Sequence, residues 1–291
     1  MLRPPRGENR HPFSMQAMNK QMSERDNHIE VVKVRFKRGN RLVFWDLCCT
    51  FPRSQISVIL GGSGSGKSTL LRMIGCLEKP DHGDIWIDGE TEITCMPENQ
   101  ARNFRHRVGM MFQHGALLDS MTVYDNAALP LREHTDKSEA EIRREVHGVF
   151  EAVGLREVDR LLPGQLSGGM LKRAALARAL IMAPEILLCD EPFSGLDPQT
   201  ICLVENLLVN INRKFRVTML ITSHHIESTL RIANHVVVLT DGAAVEGTTN
   251  EIAASSDPRV QGFFAPSCNQ PALHPTTAQI RREQPSAESP A

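Results

Sequence analysis

Apolar residues recur along this chain in two rhythms, and the change from one to the other marks its organisation. From Ile29 to about Phe51, β-branched and aromatic residues dominate, broken by Lys37-Arg38-Gly39-Asn40, which predicts a strand, a turn and a second strand. Gln55 to Leu60 is a short apolar run that stops at a glycine cluster, the pattern of a buried strand feeding a tight loop. Ser68 to Cys76 reads as a helix, and Asp84 to Asp88 and Val108 to Phe112 read as further short strands. Helical spacing then takes over in Val123 to Leu131 and in Ser138 to Val153, whose charges recur at i,i+4 as on a solvated helix face. Strands and helices alternate afterwards: Glu185 to Asp190, Gln199 to Phe215, Val217 to Thr222, Ile226 to Ala233 and His235 to Thr240. That alternation predicts an α/β domain with a largely parallel central sheet.

The expected plan is an α/β body over residues 29–250, with a helical subdomain inserted at about 115–165. Residues 1–28 form a polar extension, and 265–291, rich in Pro, Ala, Ser and Thr, read as a disordered tail. Between them, 251–264 sets Val260, Phe263 and Phe264 beside polar text. It is expected to dock on a subunit surface, with a neighbouring copy of the chain as one candidate.

Composition narrows the function. Lys and Arg number 33 against 34 Asp and Glu, a net charge of −1, which argues against the basic footprint of a nucleic-acid binder. Apolar runs such as Val236 to Leu239 fall far short of the roughly 20 residues a spanning helix needs. The amino-terminal text is charged and lacks an apolar run of signal-peptide type, and Met15, Met18 and Met22 offer later starts. Seven scattered cysteines without a CxxC pair read as reduced thiols and not as zinc ligands.

The chemistry begins at Gly61-Gly62-Ser63-Gly64-Ser65-Gly66-Lys67-Ser68, which fits G-x-x-x-x-G-K-[ST] between a predicted strand and a predicted helix. Glycines let consecutive backbone N–H groups turn toward phosphate oxygens, and the helix start aims its positive dipole end at the same anion. Lys67 is a point charge for the β- and γ-phosphates, the Ser68 hydroxyl is a ligand for Mg²⁺, and Thr69 completes the candidate nucleotide-binding set. Downstream, the apolar run Glu185 to Cys189 ends in Asp190-Glu191. Ligands of such sheets gather at the carboxyl ends of strands. Asp190 suits Mg²⁺, and Glu191 suits a base that polarises the attacking water.

A second anion-binding helix start lies at Ser167-Gly168-Gly169, ahead of the helical run LKRAALARALI. One nucleotide needs only one such terminus. A head-to-tail homodimer uses both, with ATP held between the phosphate loop of one copy and the Ser167 helix of the other.

Gly61 to Ser68, Gln113, Leu166 to Met170, Asp190-Glu191, Gly195-Leu196-Asp197 and Ser223-His224 occur in this order, and together they resemble the nucleotide-binding domains of ABC transporters over roughly residues 29–250. Within that group, Phe112 to Leu118, Pro130 to Thr135, LSGGMLKRAALARAL, Asp190 to Pro198 and Asp257 to Val260 are similar to the ATPases of Mla/Mce-type phospholipid transporters. The resemblance implies a phosphate-loop NTPase fold of ABC type, with an antiparallel β region at its start and an inserted helical subdomain. It implies ATP and Mg²⁺ as cofactors, Gln113 as a contact to Mg²⁺ or the attacking water, and His224 as the reader of the γ-phosphate. It also implies Asp197 across a dimer interface and an aromatic that stacks on adenine, for which Phe36 is the best candidate, although Lys37-Arg38 align where the ring is usual and a guanidinium can also stack on a base.

Two residues depart from the usual pattern: Met170 replaces the signature glutamine, as the Mla-type group tolerates, and His225 stands where an acidic residue is usual. The implied partners are a second ATPase subunit, an integral membrane permease, an Mce-domain substrate-binding protein and a small STAS-domain protein, on the cytoplasmic face of a bacterial inner membrane. Two other readings stay open: an ABC transporter for lipoprotein or amino acid, and a non-transport ABC ATPase acting on DNA or ribosomes.

Overall fold

Apolar runs too short to be helices pair side by side to make the centre of this fold. The structure, a computed structural model, describes residues 27–264, apart from the side chain of Phe264. Strands β1 (Asn27–Arg38) and β2 (Arg41–Pro52) form the expected hairpin, followed by β3 (Ile56–Gly61) and helix α1 (Lys67–Ile74). Next come β4 (His82–Ile87), β5 (Thr91–Glu92), α2 (Glu98–Arg105) and β6 (Val108–Met111). The helical subdomain contributes α3 (Val123–His134) and α4 (Glu139–Ala152), and the chain returns through α5 (Gly168–Leu180) to β7 (Ile186–Asp190). The remainder is α6 (Pro198–Phe215), β8 (Thr218–Ser223), α7 (Ile226–Ile232), β9 (His235–Thr240), β10 (Ala243–Thr248), α8 (Thr249–Ala253) and α9 (Pro258–Phe264).

Two sheets result. One is antiparallel in the order β2-β1-β4-β5; the other runs β10-β9-β3-β8-β7-β6, with parallel pairing from β9 to β6 and β10 antiparallel at the edge. The central strands are buried on both faces, so their side chains serve two cores in alternation. Ile59, Ile186, Leu188 and Leu220 pack with α1 and the antiparallel sheet, through Leu70, Leu71, Phe44 and Phe51. Val58, Leu60, Leu187, Cys189 and Ile221 face the other way, onto the helices, through Ala127, Phe150, Ala175 and Leu208. Burying one such aliphatic side chain contributes about 1.5–3 kcal/mol, which holds the register because a one-residue slip exchanges the two cores.

The expected elements are present, and the differences have local causes. Helix α3 runs three residues past the expected end at Leu131, through Pro130, and stops where the Thr135 N–H reaches the Leu131 carbonyl. Helix α4 starts as expected, because Ser138 and Glu141 form a reciprocal capping box. Helix α2 and the edge strand β10 escaped the pattern, since α2 buries only Ala101 and Phe104 and β10 buries none of its residues.

Strand β1 takes in Asn27 and His28, which the sequence placed in the extension. The segment expected to dock on a subunit surface lies on its own chain: Val260 is fully buried in the helical-side core, and Phe263 packs against it. The tail and the first 26 residues lie outside the described part. Among the described residues, no helix is long and apolar enough to cross a membrane.

Candidate active site

The order β3-β8-β7-β6 brings the carboxyl ends of four adjacent parallel strands to one edge of the sheet. The phosphate loop leaves β3, Ser223-His224 ends β8, Asp190-Glu191 ends β7, and Gln113 follows β6. Residues spread from 61 to 224 thereby converge. One cavity of about 460 Å³ is lined by Ser63, Gly64, Gly66, Lys67, Ser68, Thr69, Gln113 and Glu191, with Arg38, Arg41 and Val43 from the antiparallel sheet. A second, of about 440 Å³, is bounded by Gly61, Gly62, Ser63, Lys67, Gln113, Glu191, His224 and Phe263.

Steric limits shape the phosphate loop. Gly66 has φ +101°, and a Cβ there would lie 2.5 Å from the Phe44 ring and 2.8 Å from Val43. A Cβ on Gly61 would lie 2.9 Å from the Leu239 carbonyl oxygen. Only glycine lets the loop sit this close to β2 and β9. The Lys67 ammonium donates to the carbonyls of Gly61 (2.8 Å) and Gly62 (3.2 Å), curling back over its own loop. The buried Ser65 hydroxyl has no hydrogen-bond partner. Thr69 is buried, and its hydroxyl accepts from Arg38 at 3.2 Å.

The carboxylates differ in what they touch. Asp190 Oδ1 accepts from Ser68 Oγ (2.9 Å) and Thr222 Oγ1 (2.7 Å), so hydroxyl and carboxylate meet as a hard oxygen set suited to Mg²⁺. Glu191 is nearly buried and has φ +49°, a strained value for a residue with a Cβ. Its Oε2 accepts from His224 Nδ1 at 2.8 Å, its Oε1 lies 3.9 Å from Lys67 Nζ, and its backbone N–H donates to Thr222 Oγ1 at 2.9 Å. The strain is held by bonds on both sides of the residue, and it aims the carboxylate into the cavity. His225, unusual in its position, occupies the N-cap position of α7 without a side-chain cap bond, and its ring lies tilted beside His224 with centroids 4.4 Å apart. Burial, and then the neighbouring His224 ring, hold its imidazole below the ordinary value.

Four expected residues lie elsewhere. Ser167 and Gly168 are exposed, and the Ser167 side chain caps α5 by accepting from the Met170 N–H at 3.3 Å. Gly169 sits against Thr200 at the start of α6. Asp197 is exposed and caps α6 through Gln199 and Thr200, both at 3.0 Å, and the Thr200 hydroxyl holds its carboxyl below the usual range. None of these lines the pocket of its own chain.

Phe36 requires a correction. Its ring is 7% exposed, packed in the core between the antiparallel sheet and α1, and absent from both cavities. β1 pairs with β2 so that Phe36 faces Phe44, inward, while Arg38, Arg41 and Val43 reach the cavity in its place. The guanidinium of Arg41 donates to the Gly64 carbonyl at 3.0 Å, and a guanidinium plane can stack on a base. Sequence reasoning placed Phe263 in a docking segment and not at the cavity, since its approach across 200 residues of chain has no local signal, and it passed over Lys172.

A glycine loop joining a parallel strand to a helix, with paired carboxylates on a neighbouring strand end, defines the phosphate-loop nucleoside triphosphatases. A family profile described as ABC transporter matches residues 45–194. The intermembrane phospholipid transport system ATP-binding protein MlaF of Escherichia coli K12 is 43% identical over 239 residues, 82% of this chain and 88% of that one. The probable ribonucleotide transport ATP-binding protein mkl of Mycobacterium tuberculosis H37Rv is 40% identical over 237 residues, 81% of this chain and 66% of that one. Among solved structures, a dimeric post-hydrolysis state of the ATP-binding cassette MJ0796 bound to ADP and Pi superimposes with a TM-score of 0.70 at 29% identity, covering 76% of this chain and 98% of that one. The chain belongs to the ABC-transporter family, as one of its ATPases.

Proposed function

We propose that this chain is the ATP-hydrolysing subunit of a transporter that moves phospholipid through a separate membrane permease. The likeness to MlaF across 82% of the chain carries the choice of cargo. The pocket carries the reaction. Lys67, now bonded to Gly61 and Gly62, exchanges those carbonyls for phosphate oxygens when ATP enters, and in doing so releases its hold on Glu191. Glu191 then takes a proton from the attacking water, and His224 keeps its Oε2 oriented toward the γ-phosphate side. Ser68 and Asp190, with Gln113 beside them, would hold Mg²⁺, which when bound supplies positive charge against the β- and γ-phosphate oxygens.

The exposed Ser167 helix start and Asp197 support a homodimer in which each copy completes the other's site, and the cassette MJ0796 is itself a dimer. A groove of about 610 Å³ between α2, β6, α3 and α5, lined by Arg102, His106, Pro130 and His134, offers the helical subdomain's side to cytoplasmic helices of the permease. An Mce-domain protein and a small STAS-domain protein complete the assembly at a bacterial inner membrane. The mycobacterial relative, named for ribonucleotide transport, sets the alternative cargo.

The test is the chain purified with its membrane partners and reconstituted with labelled phospholipid. Glu191→Gln is expected to lower ATP-driven lipid transfer about 10²–10⁴-fold with ATP still bound. Transfer at the full rate without hydrolysis would overturn the reading. ATP-driven movement of a nucleotide but no lipid would replace the cargo.

A further inference from the structure

Lys172 is a buried lysine with no place in the reading so far. It lies on the first turns of α5, is 7% exposed, and its ammonium has three N–H donors and three acceptors, drawn from two loops. One is the backbone carbonyl of Gln113, on the loop after β6. A second is the backbone carbonyl of Glu191, at 3.2 Å. The third is the Ser194 hydroxyl, also at 3.2 Å, which itself donates to the Glu191 carbonyl at 3.0 Å. Burial disfavours the ammonium, and the Glu191 and Asp190 carboxylates oppose that effect, so the charge has a nearby counterweight.

Six residues further along the same helix, Arg178 donates to the carbonyls of Gly115 (3.0 Å) and Ala116 (2.7 Å). Helix α5 therefore grips the Gln113 loop at three carbonyls and the Glu191 loop at one. The opposite end of that grip is the Ser167 cap, the exposed helix start. A shift of Gln113 cannot leave α5 behind without stranding a buried cation, which costs far more than an exposed bond.

We propose that Lys172 is a positioning residue for hydrolysis: it fixes the backbones that carry Gln113 and Glu191 to the helix whose amino end addresses a second copy of this chain. Binding in one pocket and the presentation of Ser167 thereby move as one body. The proposal rests on the roles given above to Gln113 and Glu191. It adds that their spacing is set from α5 and not by the strand ends alone.

The experiment uses the full chain and follows ATP turnover, KM and the number of nucleotide sites per chain, for Lys172→Met, Lys172→Gln, Lys172→Arg and Glu191→Gln. Lys172→Met is expected to lower kcat at least about tenfold, since small misplacements of reacting groups are costly. KM and the number of sites should stay close to the parent's. Lys172→Gln, which keeps N–H donors without charge, should lose less, and Lys172→Arg should recover most of the turnover.

Full turnover in Lys172→Met would overturn the proposal. So would a loss of sites with unchanged turnover per site, failure of Lys172→Arg to recover, or failure of both uncharged variants to fold, which would make the tether a requirement of the core. Hydrolysis indifferent to Glu191→Gln would sink the underlying roles and the tether together. Hydrolysis that depends on Glu191 beside an unaffected Lys172→Met would sink the tether alone.

Discussion

The phosphate pocket and the signature face are built from similar parts and finished to different degrees. Both set a glycine-containing turn at the start of a helix, Gly66 before α1 and Ser167-Gly168 at α5. Around the first, Ser68, Asp190, Thr222, Glu191 and His224 form a continuous hydrogen-bonded set within one chain, with the Lys67 ammonium 3.9 Å from Glu191. Around the second, Ser167 only caps its own helix, and Asp197 only caps the next. The two regions therefore differ in how far one chain completes them. The first is a pocket closed within one chain; the second is an exposed helix start that lines neither cavity of its own chain.

Mixing variants is the most direct way to break that comparison. A Lys67→Ala chain and a Ser167→Arg chain should each hydrolyse almost no ATP alone. Mixed, they should regain about a quarter of parent turnover, since half of the twofold assemblies are mixed and each holds one intact composite site. Steady-state phosphate release measures this, and no recovery on mixing would mean that each chain completes its site by itself.

Gly66→Ala sharpens the pocket side. Its positive φ alone costs about 1–3 kcal/mol, and the new methyl must also displace the Phe44 ring. Urea denaturation should show the stability loss, and nucleotide binding should fall with it. An alanine at Gly168, whose nearest foreign atom is Leu196 Cδ2 at 3.6 Å, should leave stability almost unchanged.

The smallest effect is expected at the far end of β8, where β1 of the antiparallel sheet meets it. His28 is fully buried, bonds Thr218 Oγ1 through Nδ1 at 2.7 Å, and leaves Nε2 without a hydrogen bond. Burial, and then the charge of Arg53, lower its pKa from 6.5 to about 4. Between those values the unfolded chain binds the proton and the folded chain does not, so stability is complete above pH 6.5 and declines as pH falls toward 4. His28→Gln should flatten that decline in urea titrations at pH 7 and pH 5, with ATP turnover at pH 7 unchanged. An unaltered slope would contradict it.

The legible parts of the molecule are those whose chemistry is written in consecutive residues. The phosphate loop, the Asp190-Glu191 strand end and the Ser167 cap each carry their reason within a few positions, and the central strands are readable because burial on both faces leaves uninterrupted apolar runs. Helix α2 and β10 were illegible because they bury little and so show no periodicity. The adenine-side residue was misread for a different reason. Alternation along β1 sets Phe36 on the inward face with the buried Val34, opposite Phe44, and only at the end of the strand does Arg38 reach the cavity.

By itself, then, the sequence determined the class of chemistry, that of a nucleoside triphosphatase, since a glycine loop and paired carboxylates each need particular atoms at short spacing. The tertiary structure decided their assembly. The strand order placed Gln113, Glu191 and His224 beside Lys67, burial turned Phe36 away and brought Phe263 to the cavity wall, and the path of α5 set Lys172 between two loops. These contacts join residues dozens to hundreds of positions apart, and only the packing of the whole sheet and its helices fixes such distances.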